Sequence, residues 1–546
     1  PPVRHPIDGL TMHDKYASHS VDTTTAAAAA ARGGRRRAVC ATLGRLIGVC
    51  TLLASSSSAA AEGGAPAITR IAAHPEQLVL QLDPGGPPAA VRIVELRPYE
   101  QYAPADAGVV VWEGGSAAGP IAIPRLAAGH DRLYSKFQLA AAVTGRPLGP
   151  VQWVTDLEAL PASDVAMPWP ASKKGVSCPV DIEDLKTLGA RYSDQGFLLG
   201  ALFDWSPGPW QETWEVDGQV LGINVDLVRG LDRRVKRLTE LGINVTVLLV
   251  NGVPTTPAPA NPLVHPRTDL ARAPYHLGAF NLTDERGLRY YRAAFEYLAH
   301  RYSDPAGEHG WVSGHIVGNE LQSHWAWHNM GRASAEEVTR EYADQLRVAW
   351  LAVRRYHRTV RVYACMDHTW ATHLDPDPLK SMRGDQFLER LNALATAEGN
   401  FPWHVAFHPY PENLFDPRFW LDQTAALGFD SPRITFKNLE VLPAFRAAPR
   451  PAGAAGAAQD LLAGWDGRVA ADPPEPLILH ATLSRFGRAL LAGAGVPQDA
   501  WRASADFLAQ VLTDPAAARA CGGAEGCGPA LSAAMTQAVA DLAPVH

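Results

Sequence analysis

The strongest constraint in this 546-residue chain is a helix-then-strand unit that occurs four times between residues 226 and 407. The stretch Asp226 to Leu241 carries Leu227, Leu231, Val235 and Leu238 at helical spacing, then runs into the apolar Asn244-Val245-Thr246-Val247-Leu248-Leu249-Val250. The same order returns as helix Glu285 to Tyr302 before strand Gly314 to Val317, helix Ala335 to Tyr356 before strand Val360 to Met366, and helix Gly384 to Ala397 before strand Trp403 to Phe407. Apolar strands alternating with helices predict a parallel sheet covered by those helices. The number of units favours a closed (β/α) barrel over a doubly wound sheet. No Gly-x-Gly-x-x-Gly or Walker loop follows any of these strands, which argues against nucleotide binding.

Upstream, Leu78-Val79-Leu80-Gln81-Leu82, Ala90-Val91-Arg92-Ile93-Val94 and Val109-Val110-Val111-Trp112 are short alternating runs separated by Pro/Gly turns. They predict a small antiparallel sandwich, a module that either binds carbohydrate or packs against its neighbour. Further upstream, Arg35-Arg36-Arg37 precedes a mostly small and apolar run from Ala38 to Ala54 and then Ala59-Ala60-Ala61. Those are the three parts of a secretory signal, so cleavage near Ala61 and a secreted or periplasmic location are expected. A disordered Ala/Arg-rich leader on a cytoplasmic protein is the alternative. The apolar run is shorter than the roughly 20 residues of a membrane span. With 49 Lys+Arg against 56 Asp+Glu, the net charge of −7 argues against a nucleic-acid partner.

The expected divisions are a leader and signal over 1–61, a β-sandwich over 65–165, a barrel over 173–445 and an Ala/Gly-rich segment over 446–546. The expected fold class is α/β: a (β/α)8 TIM-like barrel, incomplete at its C-terminal end, preceded by a small all-β sandwich.

In such a barrel the chemistry lies at the carboxyl ends of the strands. After Val317 come Gly318, Asn319 and Glu320, then Gln322, His324, Trp325 and Trp327; after Cys365 come Asp367, His368 and Trp370; after Phe407 come His408, Tyr410 and Glu412. Asn251 ends the preceding strand. A rim of Trp, Tyr, His, Asn and carboxylates suits sugars, whose C–H faces stack on aromatics while their hydroxyls need short polar partners. Glu320 is the candidate general acid and base on the glycosidic oxygen. A carboxylate merely paired to a neighbouring Arg or His would look the same in sequence. His324 and His328 have the spacing of two metal ligands on one helix face, but the Glu expected beside the first is missing and no third ligand follows by spacing, so no metal is assigned.

Four stretches carry a family resemblance: Gly318-Asn319-Glu320, Asp367-His368-Thr369-Trp370, Trp403 to Leu414 and Ile434 to Glu440, joined by Asp131-Arg132-Leu133-Tyr134-Ser135-Lys136-Phe137 in the sandwich. Together they resemble a family of secreted bacterial proteins of uncharacterised function whose barrel is similar to clan A glycoside hydrolases. The resemblance covers roughly residues 65 to 445. It implies that Glu320 is the acid/base and that His408 and Tyr410 are the imidazole and aromatic pair near a nucleophile. The nucleophile motif expected a few tens of residues beyond Glu440 does not occur. Glu440 is therefore a candidate second carboxylate, although its setting also suits the first turn of a helix. Loss of hydrolysis is a second reading. A reading-frame change after about Arg446 is a third, because the composition shifts abruptly there.

The expectation is an exported glycoside hydrolase-like protein acting on a polysaccharide or oligosaccharide by carboxylate acid/base catalysis, with no cofactor. Glu320 and Glu440 are its catalytic candidates. Asn251, Asn319, His324, Trp325, Asp367, His368, Trp370, His408 and Tyr410 are its substrate-binding candidates. A non-catalytic carbohydrate-binding protein on the same scaffold is the main rival.

Overall fold

The apolar strands must be covered on both faces, and that requirement sets the order of layers. The computed structural model describes residues 65–447, except 87–88, 104–107, 118, 128, 168 and 254–260, together with Ala534. The expected leader and signal, and all but Ala534 of the segment beyond Ala447, lie outside the described residues.

The amino-terminal part contains β1 (Ala67–Ala73), β2 (Gln77–Asp83), β3 (Ala90–Leu96), β4 (Val109–Gly115), β5 (Ile121–Pro124), β6 (Leu126–Ala127), β7 (His130–Asp131), β8 (Lys136–Ala141) and β9 (Gln152–Trp153). They form an antiparallel three-stranded sheet β1-β2-β5, a four-stranded sheet β4-β3-β8-β9 and the short β6-β7 ladder. Alternation buries Leu78 and Leu80 on one sheet and Val91, Ile93, Phe137 and Leu139 on the other, each at most 1% exposed. This agrees with the expected sandwich.

The barrel region contains β10 (Gly175–Ser177), α1 (Asp184–Leu188), β11 (Tyr192–Leu198), the hairpin β12 (Thr213–Val216) and β13 (Gln219–Gly222), α2 (Val225–Glu240), β14 (Asn244–Gly252), β15 (Leu277–Gly278), α3 (Glu285–Arg301), β16 (Gly314–Val317), α4 (His324–Trp327), α5 (Ala335–Arg354), β17 (Arg361–Met366), α6 (Gly384–Ala397), β18 (His404–Phe407) and α7 (Val441–Ala447). Six strands pair in parallel in the order β10-β11-β14-β16-β17-β18, with β15 antiparallel to β14. The long helices begin where side chains satisfy their free N–H groups: Asn224 accepts from Leu227 N, Asp284 from Gly287 N, and Ser334 with Glu337 forms a capping box. The α2 face that packs inward is Val228, Leu231, Val235 and Leu238. The result is α/β, a run of six parallel strands with helices alongside, as in part of a (β/α) barrel. Among the described residues the parallel strands number six, where eight are expected.

Register assigns the two sheet faces. Leu248, Ile316, Tyr363 and His404 share one level, and Cys365 pairs with Ala406 two residues further on, so these side chains share a face. Val247, Leu249, Val317, Val362 and Ala364 point the other way and are at most 1% exposed. Apart from Thr246 and the buried His315, the interiors of β14 and β16 are apolar on both faces, which is why those runs read as apolar stretches.

The stretch Asp131 to Phe137 joins the two parts. All seven residues are buried. Asp131 caps a 3-10 turn over Arg132–Tyr134, and the Tyr134 hydroxyl donates to Glu296 of α3 at 2.5 Å. Arg355 reaches Asp131 at 3.2 Å, Arg97 pairs with Glu285 at 2.9 Å, and the Trp153 indole donates to Glu398 at 3.2 Å. The motif therefore serves docking of the sandwich on α3 and the end of α5.

Candidate active site

The strand end Gly318-Asn319-Glu320 departs sharply from extended geometry. Gly318 has φ +70° and Glu320 has φ +43°. The left-handed region is easy for glycine and costly for a side-chain-bearing residue, so Glu320 is held there by its surroundings. Its carbonyl accepts from Ser323 N at 2.8 Å as the chain turns into the Leu321–Ser323 3-10 helix. The turn places the carboxyl group of Glu320 beside the ring of His408, one residue past β18.

His408 Nδ1 lies 2.8 Å from Glu320 Oε1. The Trp327 indole N–H donates to the same carboxylate. Trp327 is itself stacked on Tyr275, with ring centroids 4.1 Å apart and planes within 11°. On the far side of the imidazole, His408 Nε2 lies 3.5 Å from Cys365 Sγ, and Cys365 Sγ lies 3.5 Å from Asn319 Oδ1. Tyr410 crosses the His408 ring edge-on at 5.4 Å, and His368 meets Tyr410 the same way at 6.3 Å.

Electrostatics follow from burial. Glu320 is only 6% exposed. Burial pushes its carboxyl upward, opposed by the His408 hydrogen bond, and Asp367 pushes in the same direction as burial. Burial would lower the His408 imidazole, but Cys365 and Glu320 outweigh it and the ring is pushed up to about 12. At neutral pH the ring therefore stands as an imidazolium, with Nδ1 toward the Glu320 carboxyl. Burial also raises Asp194 of β11, which acts on His408, and raises the Tyr410 hydroxyl.

The expected site residues divide into two groups. Glu320, Asn319, His408 and Tyr410 are brought together, with His368 at the edge. Asp367 adjoins them, but its carboxylate is engaged locally: it accepts from Gln322 at 2.8 Å, Ser323 at 2.7 Å and Thr369 N at 2.6 Å. It fixes the loops rather than facing a ligand.

Asn251 likewise donates to the carbonyls of Leu263 at 2.7 Å and Ala279 at 3.1 Å, holding the loop after β14. Trp370 is fully buried, donates to Phe429 O and packs on Phe445, so the expected stacking platform is a core residue. Trp325 is half-buried between Arg272 and Lys380. His324 and His328 are both buried, and burial lowers them to about 4 and about 3. His328 bonds Gln345 at 3.0 Å between Phe280 and Tyr342. They serve as neutral core histidines.

Glu440 is exposed in the turn that opens α7, where its carbonyl accepts from Ala444 N. The helix-start setting is realised. Its carboxylate is not among the groups that meet Glu320.

Three participants escaped the sequence reading as site residues: Cys365, Tyr275 and Asp194. Alternation along β17 was the available signal for Cys365, since it shares a face with Tyr363. For Tyr275, in a loop between β14 and β15, the sequence holds no such signal.

Comparison with protein-family models matches residues 166–461 to the "Family of unknown function (DUF5722)". No curated protein matches the chain. Among solved structures, the chain is similar to a β-glucosidase from Thermotoga maritima in complex with glucoimidazole, at 13% identity over 35% of this chain and 37% of that one, TM-score 0.22. It is also similar to a glucosidase from Croceicoccus marinus, at 16% identity over 45% and 43%, TM-score 0.25. A family 1 β-glucosidase from Thermotoga maritima matches at 12% identity over 40% and 41%, TM-score 0.22. The chain thus spans about two fifths of the length of the solved structures it matches, in loose superposition. On the family match, which takes in more than half of its residues, the chain belongs to the family of unknown function DUF5722.

Proposed function

We propose that this chain is an exported glycoside hydrolase-like protein that acts on a polysaccharide or oligosaccharide, with Glu320 as its general acid and base. The observation that carries this reading is the setting of Glu320. It is a buried carboxyl at the carboxyl end of a parallel strand, raised by burial, held in a left-handed conformation and bonded to His408 and Trp327. A carboxyl raised by burial is suited to exchange a proton with a glycosidic oxygen near neutral pH. Asn319 and Tyr410 supply a short polar group and an aromatic ring beside it, and His368 lines the edge.

A sugar-binding barrel without hydrolysis is the second reading. It is favoured by the state of Asp367, whose carboxylate is taken up by Gln322, Ser323 and Thr369 instead of facing Glu320 as a second catalytic carboxylate. Glycan-array binding and reducing-end release on the same polysaccharides, by wild type and Glu320→Gln, separate the two. Release by wild type that is lost in the variant supports hydrolysis. Binding by both with release by neither supports the second reading, and no binding or release on any glycan overturns both.

A further inference from the structure

We propose that Cys365 is the positioning residue of this site, its thiol fixing which way the His408 ring and the Asn319 side-chain amide face. The inference rests on the reading of Glu320 as the acid/base group, and it assigns a role to a residue that does not itself touch the reacting atoms.

Glu320 Oε1 is a carboxylate acceptor, so His408 Nδ1, at 2.8 Å, carries a hydrogen and donates to it. The other ring nitrogen, Nε2, faces Cys365 Sγ at 3.5 Å. With the ring protonated at both nitrogens, Nε2 is also a donor and sulfur is its acceptor. The thiol hydrogen is then free to be given to Asn319 Oδ1, also 3.5 Å away. These sulfur distances are those of weak hydrogen bonds, but Cys365 is fully buried, where no water replaces a lost partner.

The run Trp327 to Glu320, His408 to Glu320, His408 to Cys365 and Cys365 to Asn319 thus has a donor and an acceptor at every link. With its Oδ1 taken by the thiol, Asn319 is left to act through its amide hydrogens, as a donor to an acceptor oxygen such as a sugar hydroxyl. A neutral ring with Nε2 unprotonated would compete for the same thiol hydrogen and leave Asn319 Oδ1 unserved. The groups that act on His408 are Glu320, Cys365, Asp194 of β11, His368 and Tyr410.

The test uses the full chain with 15N-labelled histidine and needs no substrate. Long-range 1H–15N spectra are recorded from about pH 5 to about pH 11, with His408 identified by the signal lost in His408→Gln. The variants are Cys365→Ala, Cys365→Val and Cys365→Ser. In the wild type both ring nitrogens of His408 stay protonated through neutral pH. In either apolar variant that folds, the ring deprotonates at a pH lower by about one unit or more. In Cys365→Ser, whose hydroxyl both accepts and donates, most of that change is recovered.

Coincident titration of His408 in the wild type and an apolar variant overturns the proposal. So does a serine variant that titrates like the apolar ones. Hydrolysis by Glu320 is scored separately, by Glu320→Gln on glycans, so failure of that reading and failure of the Cys365 role are told apart.

Discussion

His408 Nδ1 lies 2.8 Å from Glu320 Oε1 although 88 residues separate the two in sequence. The contact joins the ends of β16 and β18, two strands with β17 between them. Parallel pairing through β17 sets Val317 level with Val405, two residues short of the end of β18, and the left-handed turn at Glu320 carries its carboxyl on to the ring.

Removing the acid/base group tests the site directly. Glu320→Gln keeps the shape and the Trp327 contact but cannot exchange a proton. It should reduce hydrolysis by roughly 10²- to 10⁴-fold. Initial rates on a hydrolysed glycan measure this, and an unchanged rate removes Glu320 from the mechanism.

The His408 ring should make stability depend on pH in one direction. Its protonated form is favoured in the folded state, with the ring pushed up from 6.5 to about 12. A raised value contributes stability that is fully present below the unfolded value and is lost as pH rises through the folded one. The thermal stability advantage of wild type over His408→Gln should therefore be greatest at and below about pH 6.5 and shrink steadily toward alkaline pH. Melting temperatures across that range check it, and an advantage that grows with pH would contradict the assignment.

Backbone strain at Glu320 predicts an unusual ordering of variants. At φ +43° a β-carbon is unfavourable and glycine is not. Glu320→Gly should be more stable than Glu320→Ala by about 1 kcal/mol, the reverse of the order in a helix. Urea denaturation of the pair decides it.

The docking motif makes a prediction away from the site. Tyr134 is fully buried and its hydroxyl meets the buried carboxylate of Glu296. Tyr134→Phe leaves the ring but removes that donor, which should cost about 1–3 kcal/mol. A denaturation midpoint unchanged by the substitution would show that Arg292 and Arg355 satisfy Glu296 without it.

Trp370 and Trp325 should behave differently. Trp370→Ala opens a cavity in the core and should lose about 3–5 kcal/mol of stability. Trp325, half-buried between two cations, should lose less on the same substitution. Parallel thermal melts compare them.

Much of this was legible in the residues. Helix and strand periodicity places α2, α3, α5 and α6 and the strands β14, β16, β17 and β18 within a few residues of where they lie, because each must bury one stripe or both faces. Alternation gives the sandwich for the same reason. The Gly-Asn-Glu end of β16 and the His-Pro-Tyr end of β18 mark themselves by polar residues where an apolar run stops.

Sequence could not say which of those polar residues face one another. Asp367, Asn251 and Trp370 have the same composition signature as Glu320, Asn319 and Tyr410. The first three are consumed by loop carbonyls, local donors and core packing. Parallel register across β16, β17 and β18 brought Glu320, Cys365 and His408 together, and one left-handed residue set the direction of the carboxyl. Periodicity fixes which face of an element is buried, but contacts between strand ends arise only when the strands are laid side by side.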